Sequence, residues 1–226
     1  MKPSTKIFCI GFQKTGTTSL GKALEILGYN VCGPTGVTDP RIHTKALEWA
    51  IARIPQYDAF QDNPWPLLYK ELDTLWPGSK FILTTRTPRS WIRSMRRYFG
   101  DYKAPAEEWI YGDDCTPMRN PRRCLKVYKK HYREVQEYFQ DRPEDLLIID
   151  FSKGQGWSEL CSFLGRSQPD IAFPRSLKSG SLHAEVQRHS VGIIGTIRTY
   201  IHRGYLFCRN LVLHLLRLIS RQPENI

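Results

Sequence analysis

Gly11-Phe12-Gln13-Lys14-Thr15-Gly16-Thr17-Thr18-Ser19 decides how this chain is read. Before it stands Ile7-Phe8-Cys9-Ile10, an apolar run with the composition of a strand buried on both faces. After it, Leu20, Ala23, Leu24 and Leu27 recur at helical spacing. The unit is therefore a strand, a glycine-bounded turn and a helix that opens on hydroxyl residues. Backbone N–H groups in such a turn, and those at the helix N-terminus, converge on one spot and favour negative charge. Gly11 and Gly16 permit the tight turn and close backbone approach. Lys14 adds a full positive charge, and Thr15, Thr17, Thr18 and Ser19 add hydroxyl donors. From Gln13 to Ser19 the stretch is suited to a phosphate or sulfate group.

The loop is not an ordinary nucleoside-triphosphate loop, which wants Gly, four residues, Gly, Lys, then Ser or Thr. Here Thr17 follows the second glycine, and the lysine stands two residues before it. Lys14-Thr15-Gly16-Thr17-Thr18-Ser19 instead resembles the 5′-phosphosulfate loop of the sulfotransferases that use PAPS (3′-phosphoadenosine 5′-phosphosulfate). A second segment, Phe81-Ile82-Leu83-Thr84-Thr85-Arg86-Thr87-Pro88-Arg89-Ser90-Trp91-Ile92-Arg93-Ser94, resembles the 3′-phosphate element of the same superfamily. The resemblance implies that Arg86, at a strand end, and Ser94, on the helix after it, bind the 3′-phosphate. A guanidinium pairs bidentately with phosphate, and a hydroxyl donates a further bond. Asp62, in Asp62-Asn63-Pro64, stands where the superfamily carries a histidine or carboxylate as catalytic base. Read by itself, the same residue is a cap for the turn before Pro64. The resemblance covers about residues 6–175. Phe173-Pro174 and Arg175 to Gly180 lie where these enzymes often have a further nucleotide loop, or form a plain basic linker.

Chain length and charge agree with one enzyme-sized core. A chain of 226 residues can bury a single α/β domain. The net charge of +11 favours nucleotides, anionic lipids, or sulfated or phosphorylated substrates. Nucleic acid is not expected, because zinc-finger spacing and an aromatic RNA-binding motif are both missing. The six cysteines form no C-x-x-C pair. Reduced thiols in a cytoplasmic protein are the first expectation, with a Cys115–Cys124 bridge as the alternative. Met1 to Thr5 is too short and polar for a signal peptide, and no long uncharged apolar run is present. The scattered histidines give no metal site.

A turn and a short strand are expected within 28–32, and strands at 57–61, 80–86 and 146–150. Helices are expected at 46–54, 67–75, 90–99, 125–139 and 157–164, with a long binding loop at 100–120. Alternating strands and helices predict a doubly wound parallel sheet, α/β, of the P-loop/sulfotransferase type, over residues 1–180. Residues 181–226 form a C-terminal extension in which Val191 to Ile219 reads as a basic amphipathic helix. That helix packs on its own domain, meets a membrane surface peripherally, or pairs with another subunit as a homo-oligomer.

The function implied by the resemblance is transfer of the sulfuryl group from PAPS to a hydroxyl or amine acceptor without a metal. Asp62 would take the acceptor proton, and Lys14 would stabilise the departing phosphate. Gln13 to Ser19, with Arg86 and Ser94, would hold the nucleotide. One rival is a P-loop kinase or hydrolase using magnesium and ATP, with Asp150 as a metal ligand. Another is a non-catalytic nucleotide- or membrane-binding module. The acceptor, whether small molecule, lipid or carbohydrate, is not legible. Residues 34–45 and 100–120 carry no code for it, and the aromatics Tyr98, Phe99, Tyr102, Trp109 and Tyr111 suit several classes.

Overall fold

The computed structural model describes residues 5–175. The extension at 181–226 and the basic segment beyond Arg175 lie outside the described residues. Five parallel strands make one sheet: β1 Ile7–Cys9, β2 Val31–Cys32, β3 Ala59–Phe60, β4 Lys80–Thr84 and β5 Leu146–Ile149, in the order β2-β3-β1-β4-β5. Phe8 sits opposite Phe60 on one side and Phe81 on the other. The chain leaves β1 toward β2, whereas β4 leads away toward β5. The gap between the carboxyl ends of β1 and β4 is thus the point where the strand order reverses, and ligands in open α/β sheets bind there.

Among the described residues the α-helices are α1 Thr17–Ile26, α2 Ile42–Arg53, α3 Tyr69–Leu75, α4 Pro88–Phe99, α5 Pro105–Tyr111, α6 Pro121–Tyr138 and α7 Trp157–Leu164. Side chains alternate across a strand, so each face of the sheet collects its own core. Phe8, Ile10, Phe60, Phe81 and Leu83 pack with Ala46 and Ala50 of α2, Leu72 of α3 and Val135 of α6. Ile7, Cys9, Ala59, Ile82 and Ile149 pack with Leu20 and Leu24 of α1 and Leu160 of α7. Two covered faces explain why β1 is apolar without alternation. A third cluster of Phe12, Trp91, Met95, Tyr111, Cys115, Cys124 and Tyr128 gathers α4, α5 and α6 around the loop after β1.

Three sequence expectations are corrected. Residues 105–111 are helix α5, not loop. Pro105 starts it, and the Glu107 carboxylate turns back to accept the Ala104 N–H at 3.0 Å. Seven residues are too few to display helical periodicity. Helix α6 begins at Pro121, four residues before the expected start, because proline is well suited to the first helical position. A 3-10 turn at Trp65–Leu67 precedes α3, which begins only at Tyr69. The cysteines at 9, 32, 115, 124 and 161 are buried and free, with the Cys115 and Cys124 sulfurs 3.3 Å apart. Among the described residues no helix is long and apolar enough to cross a membrane.

Candidate active site

The loop after β1 is pinned from beneath by β4. A Cβ on Gly11 would lie 2.0 Å from the Thr84 hydroxyl, so only glycine lets the loop cross the strand end. Thr15 points inward: its hydroxyl donates to the Phe12 carbonyl at 2.5 Å and meets the Thr84 hydroxyl at 2.6 Å. Its hydroxyl therefore serves the loop, and what Thr15 offers a ligand is its backbone N–H. Gly16, with φ 110°, ends the loop as the N-cap of α1; no side chain caps that end and its first turn has no acid. The helix dipole and the backbone N–H groups of that first turn favour an external anion. Thr17 and Ser19 are buried and Thr18 is half-buried.

Lys14 adopts φ 67°, a left-handed backbone that a long side chain seldom takes. Its ammonium lies 3.7 Å from the centre of the Tyr98 ring on α4, a cation–π contact that holds the charge without neutralising it. The same helix supports Gln13, whose carbonyl accepts the Trp91 indole N–H at 3.0 Å. Gln13 is itself buried, and its amide donates to the Tyr111 hydroxyl at 3.2 Å. Helices α4 and α5 thus grip the loop from its two sides.

Arg86 follows β4 at the same edge of the sheet. Tyr128 of α6 holds its backbone: the phenol accepts the Arg86 N–H at 3.0 Å and donates to the Arg86 carbonyl at 2.8 Å. The Arg86 Nε is buried and has no partner among the described residues. A guanidinium N–H is seldom left so unless a ligand completes it. Arg86 borders a recess of about 260 Å³ with Tyr128, Lys129, Asp150 and Lys153. Lys129 also borders a groove of about 500 Å³ along α6, lined by Arg122, Lys126, Lys130 and Arg133. Ser94 is half-buried on α4, on the turn between Trp91 and Tyr98. The helix that carries Ser94 is therefore the one packed on the Lys14 loop.

Asp62 follows β3 and also has a left-handed backbone, φ 69°; it and Lys14 are the two non-glycine residues so placed among those described. Its Oδ2 accepts the Thr17 hydroxyl at 3.3 Å, and its Oδ1 accepts the Asn63 N–H at 2.9 Å. The carboxylate both caps its own turn and faces the start of α1. Burial pushes its pKa above the usual carboxylate value, while those two hydrogen bonds and the Lys14 charge pull it back. Strained backbone at two facing residues is characteristic of functional sites.

Asp150 is the residue that a magnesium-dependent reaction would require. Its Oδ1 accepts both the Ser152 N–H at 2.9 Å and the Ser152 hydroxyl at 2.6 Å. It caps the turn after β5. Among the described residues no group of three or more His, Cys, Asp or Glu is disposed to hold a metal ion.

Sequence reasoning missed three residues at this edge, Trp91, Tyr128 and Glu107, and the link from Gln13 to Tyr111. They are spread over α4, α5 and α6, and no local spacing signals them. His131 belongs with them. It is buried, its Nε2 lies 2.8 Å from the Ile10 carbonyl, and it stacks on Phe12 with centroids 4.2 Å apart. Burial lowers its pKa, so at neutral pH it is uncharged and donates to that carbonyl.

The sequence profile of the sulfotransferase domain matches residues 6–114 and 106–182. The Ava biosynthesis cluster protein M of Aspergillus versicolor is 24% identical over 213 residues, covering 75% of this chain and 79% of that protein.

Proposed function

The chain belongs to the sulfotransferase domain family, and we propose that it moves the sulfuryl group of PAPS to a hydroxyl or amine acceptor. The observation that carries this reading is the meeting of Lys14, Thr17 and Asp62. The Asp62 carboxylate lies 3.3 Å from the Thr17 hydroxyl and within electrostatic reach of the Lys14 ammonium. In this reading Asp62 is the base and Lys14 the cation for the leaving group.

PAPS brings a sulfuryl group already activated on a phosphate, so the protein has to orient it and manage charge. The amides at the start of α1 and the backbone N–H groups from Gln13 to Ser19 hold the 5′-phosphosulfate. Lys14 stabilises the negative charge that grows on the phosphate oxygen as the S–O bond breaks. Arg86, with its unpartnered Nε, and Ser94 hold the 3′-phosphate and fix the register. Asp62 accepts the proton of the acceptor as its oxygen or nitrogen attacks in line. Its raised pKa makes it a better base than an exposed aspartate. The chain supplies these charges from its own residues, and nothing in this scheme calls for magnesium.

Calorimetry tests the reading. Adenosine 3′,5′-bisphosphate (PAP) should bind without magnesium, and more tightly than 5′-AMP. A protein that binds ATP only with magnesium and does not discriminate PAP from AMP would be a nucleoside-triphosphate enzyme instead.

A further inference from the structure

Glu107 is a buried acid with no cation to answer it. It is 7% exposed, and among the described residues no ion pair reaches it; its neighbour Glu108 takes Lys103 at 2.8 Å. One partner is the Ala104 N–H, at 3.0 Å from its Oε2. A chain of backbone bonds sets Glu107 beside Asp62. The Asn63 carbonyl accepts the Thr35 N–H at 3.0 Å, and two residues on, the Val37 carbonyl accepts the Ala106 N–H at 3.1 Å. Burial, with the nearby negative charge of Asp62, pushes the Glu107 pKa up to about 7. The other titratable groups facing it are Glu108 on its own helix and the buried Tyr111 one turn along.

Two further groups around these acids are unanswered. Gln13 and Asn63 are 4% and 3% exposed, and the Gln13 Oε1 and Asn63 Oδ1 are buried without partners among the described residues. The Gln13 amide is already fixed beside the Tyr111 phenol. Buried polar atoms without partners are rare in a finished structure and point to a missing ligand. Both unanswered groups beside these two acids are amide oxygens, which accept and cannot donate.

We infer that Glu107 is a second acid of the acceptor side, and that it selects an acceptor whose reacting hydroxyl stands close to an ammonium group. The hydroxyl would address Asp62, and the ammonium would be shared between Glu107 and the Gln13 and Asn63 oxygens. A sulfated, phosphorylated or carboxylated acceptor would be repelled. A phenol would leave the buried oxygens unpaired, at a cost large enough to exclude it. The inference rests on the sulfotransferase reading, since it needs Asp62 and the loop to define an acceptor side.

The test follows the Glu107 carboxyl by ¹³C NMR in the PAP-saturated protein, with ethanolamine or ethylene glycol as the added probe. Ethanolamine should lower the Glu107 titration midpoint by about one pH unit, the effect of an opposite charge brought within a few ångströms. Ethylene glycol should leave it unmoved. A midpoint unaffected by ethanolamine, or moved equally by both, would overturn the inference. Glu107→Gln keeps an oxygen for the Ala104 N–H but removes the charge. It should therefore fold and bind PAP as before, and lose ethanolamine binding in calorimetry. If Glu107→Gln binds ethanolamine undiminished, Glu107 only caps α5. The two readings fail separately. PAP binding with no amine effect removes the inference alone; failure of PAP to bind removes the sulfotransferase reading and the inference with it.

Discussion

In the proposed reaction the two sides of Lys14 are built differently. On the leaving-group side, one contiguous turn from Gly11 to Ser19 supplies the backbone amides, and Arg86 comes from the adjacent strand end. On the acceptor side, Asp62 comes from the turn after β3 and Glu107 and Tyr111 come from α5. Their register is set by backbone bonds through the segment around Thr35 and Val37. The first side is cationic and made largely of main chain. The second is anionic and made of side chains brought together over tens of residues. An activated donor is the same molecule in every turnover, so a fixed main-chain cradle suits it. An acceptor defines the individual enzyme, and a site assembled from separate segments can change one wall without disturbing the sheet.

Substitutions can break this contrast in graded steps. The largest effect is expected from Asp62→Asn, which removes the base but keeps the shape and tolerates the left-handed backbone. Turnover should fall by about 10²–10⁴-fold while PAP affinity holds, as measured by steady-state rates beside calorimetry. Normal turnover in this variant would move the base elsewhere. Lys14→Met should lower turnover for every acceptor alike, by roughly 10²–10³-fold, since it acts on the leaving side only. An acceptor-dependent loss would mean that Lys14 also touches the acceptor.

Arg86→Ala should erase most of the preference for PAP over 5′-AMP, a loss of about 2–3 kcal/mol for charge-assisted hydrogen bonds. Tyr128→Phe takes away the hydroxyl that both accepts from and donates to the Arg86 backbone. It should cost about 1–2 kcal/mol in chemical denaturation and weaken PAP binding more than acceptor binding. An equal loss on both sides would show that the two halves are mechanically coupled.

The smallest effect concerns stability. The Asp62 pKa is raised in the folded protein, so the folded state binds the more protons. Burying the ionised carboxylate therefore costs nothing below the ordinary aspartate value and costs more as pH rises through the folded value. Asp62→Asn should melt higher than the parent at neutral pH and lose that advantage as pH falls toward the ordinary aspartate range. An unchanged melting temperature at pH 8 would mean that Thr17 and Lys14 fully offset the burial.

What the sequence made legible follows the same division. The β1–loop–α1 unit, the Arg86 strand end and the apolar strands are local patterns, and the structure has the parallel sheet they imply. Asp62 was picked out through a resemblance; its left-handed backbone and its bond to Thr17 are three-dimensional facts. Glu107 was hidden because α5 is too short to show a period, and because an acid between Pro105 and Trp109 reads as an ordinary solvent-facing side chain. Tyr128 and Trp91 carry no local signal of a polar role. Their polar ends reach Arg86 and Gln13 only because α4 and α6 pack against the third core cluster.

The position of β1 in the middle of the sheet has a consequence for how the chain comes into being. Of the five strands it is translated first, yet its partners are residues 59–60 and 80–82. Ribosomes add about 5–20 residues per second, so Ile7 to Ile10 wait some seconds with both edges unpaired and both faces uncovered. A nascent chain halted before β4 holds the anion loop with nothing beneath it, because Thr84, the residue that fixes Thr15, has not yet been made. Release of the stretch from Lys80 to Thr84 is then the event that commits the chain. Arrest sequences placed along the gene should record a rise in folding force once β4 has left the exit tunnel, and little before.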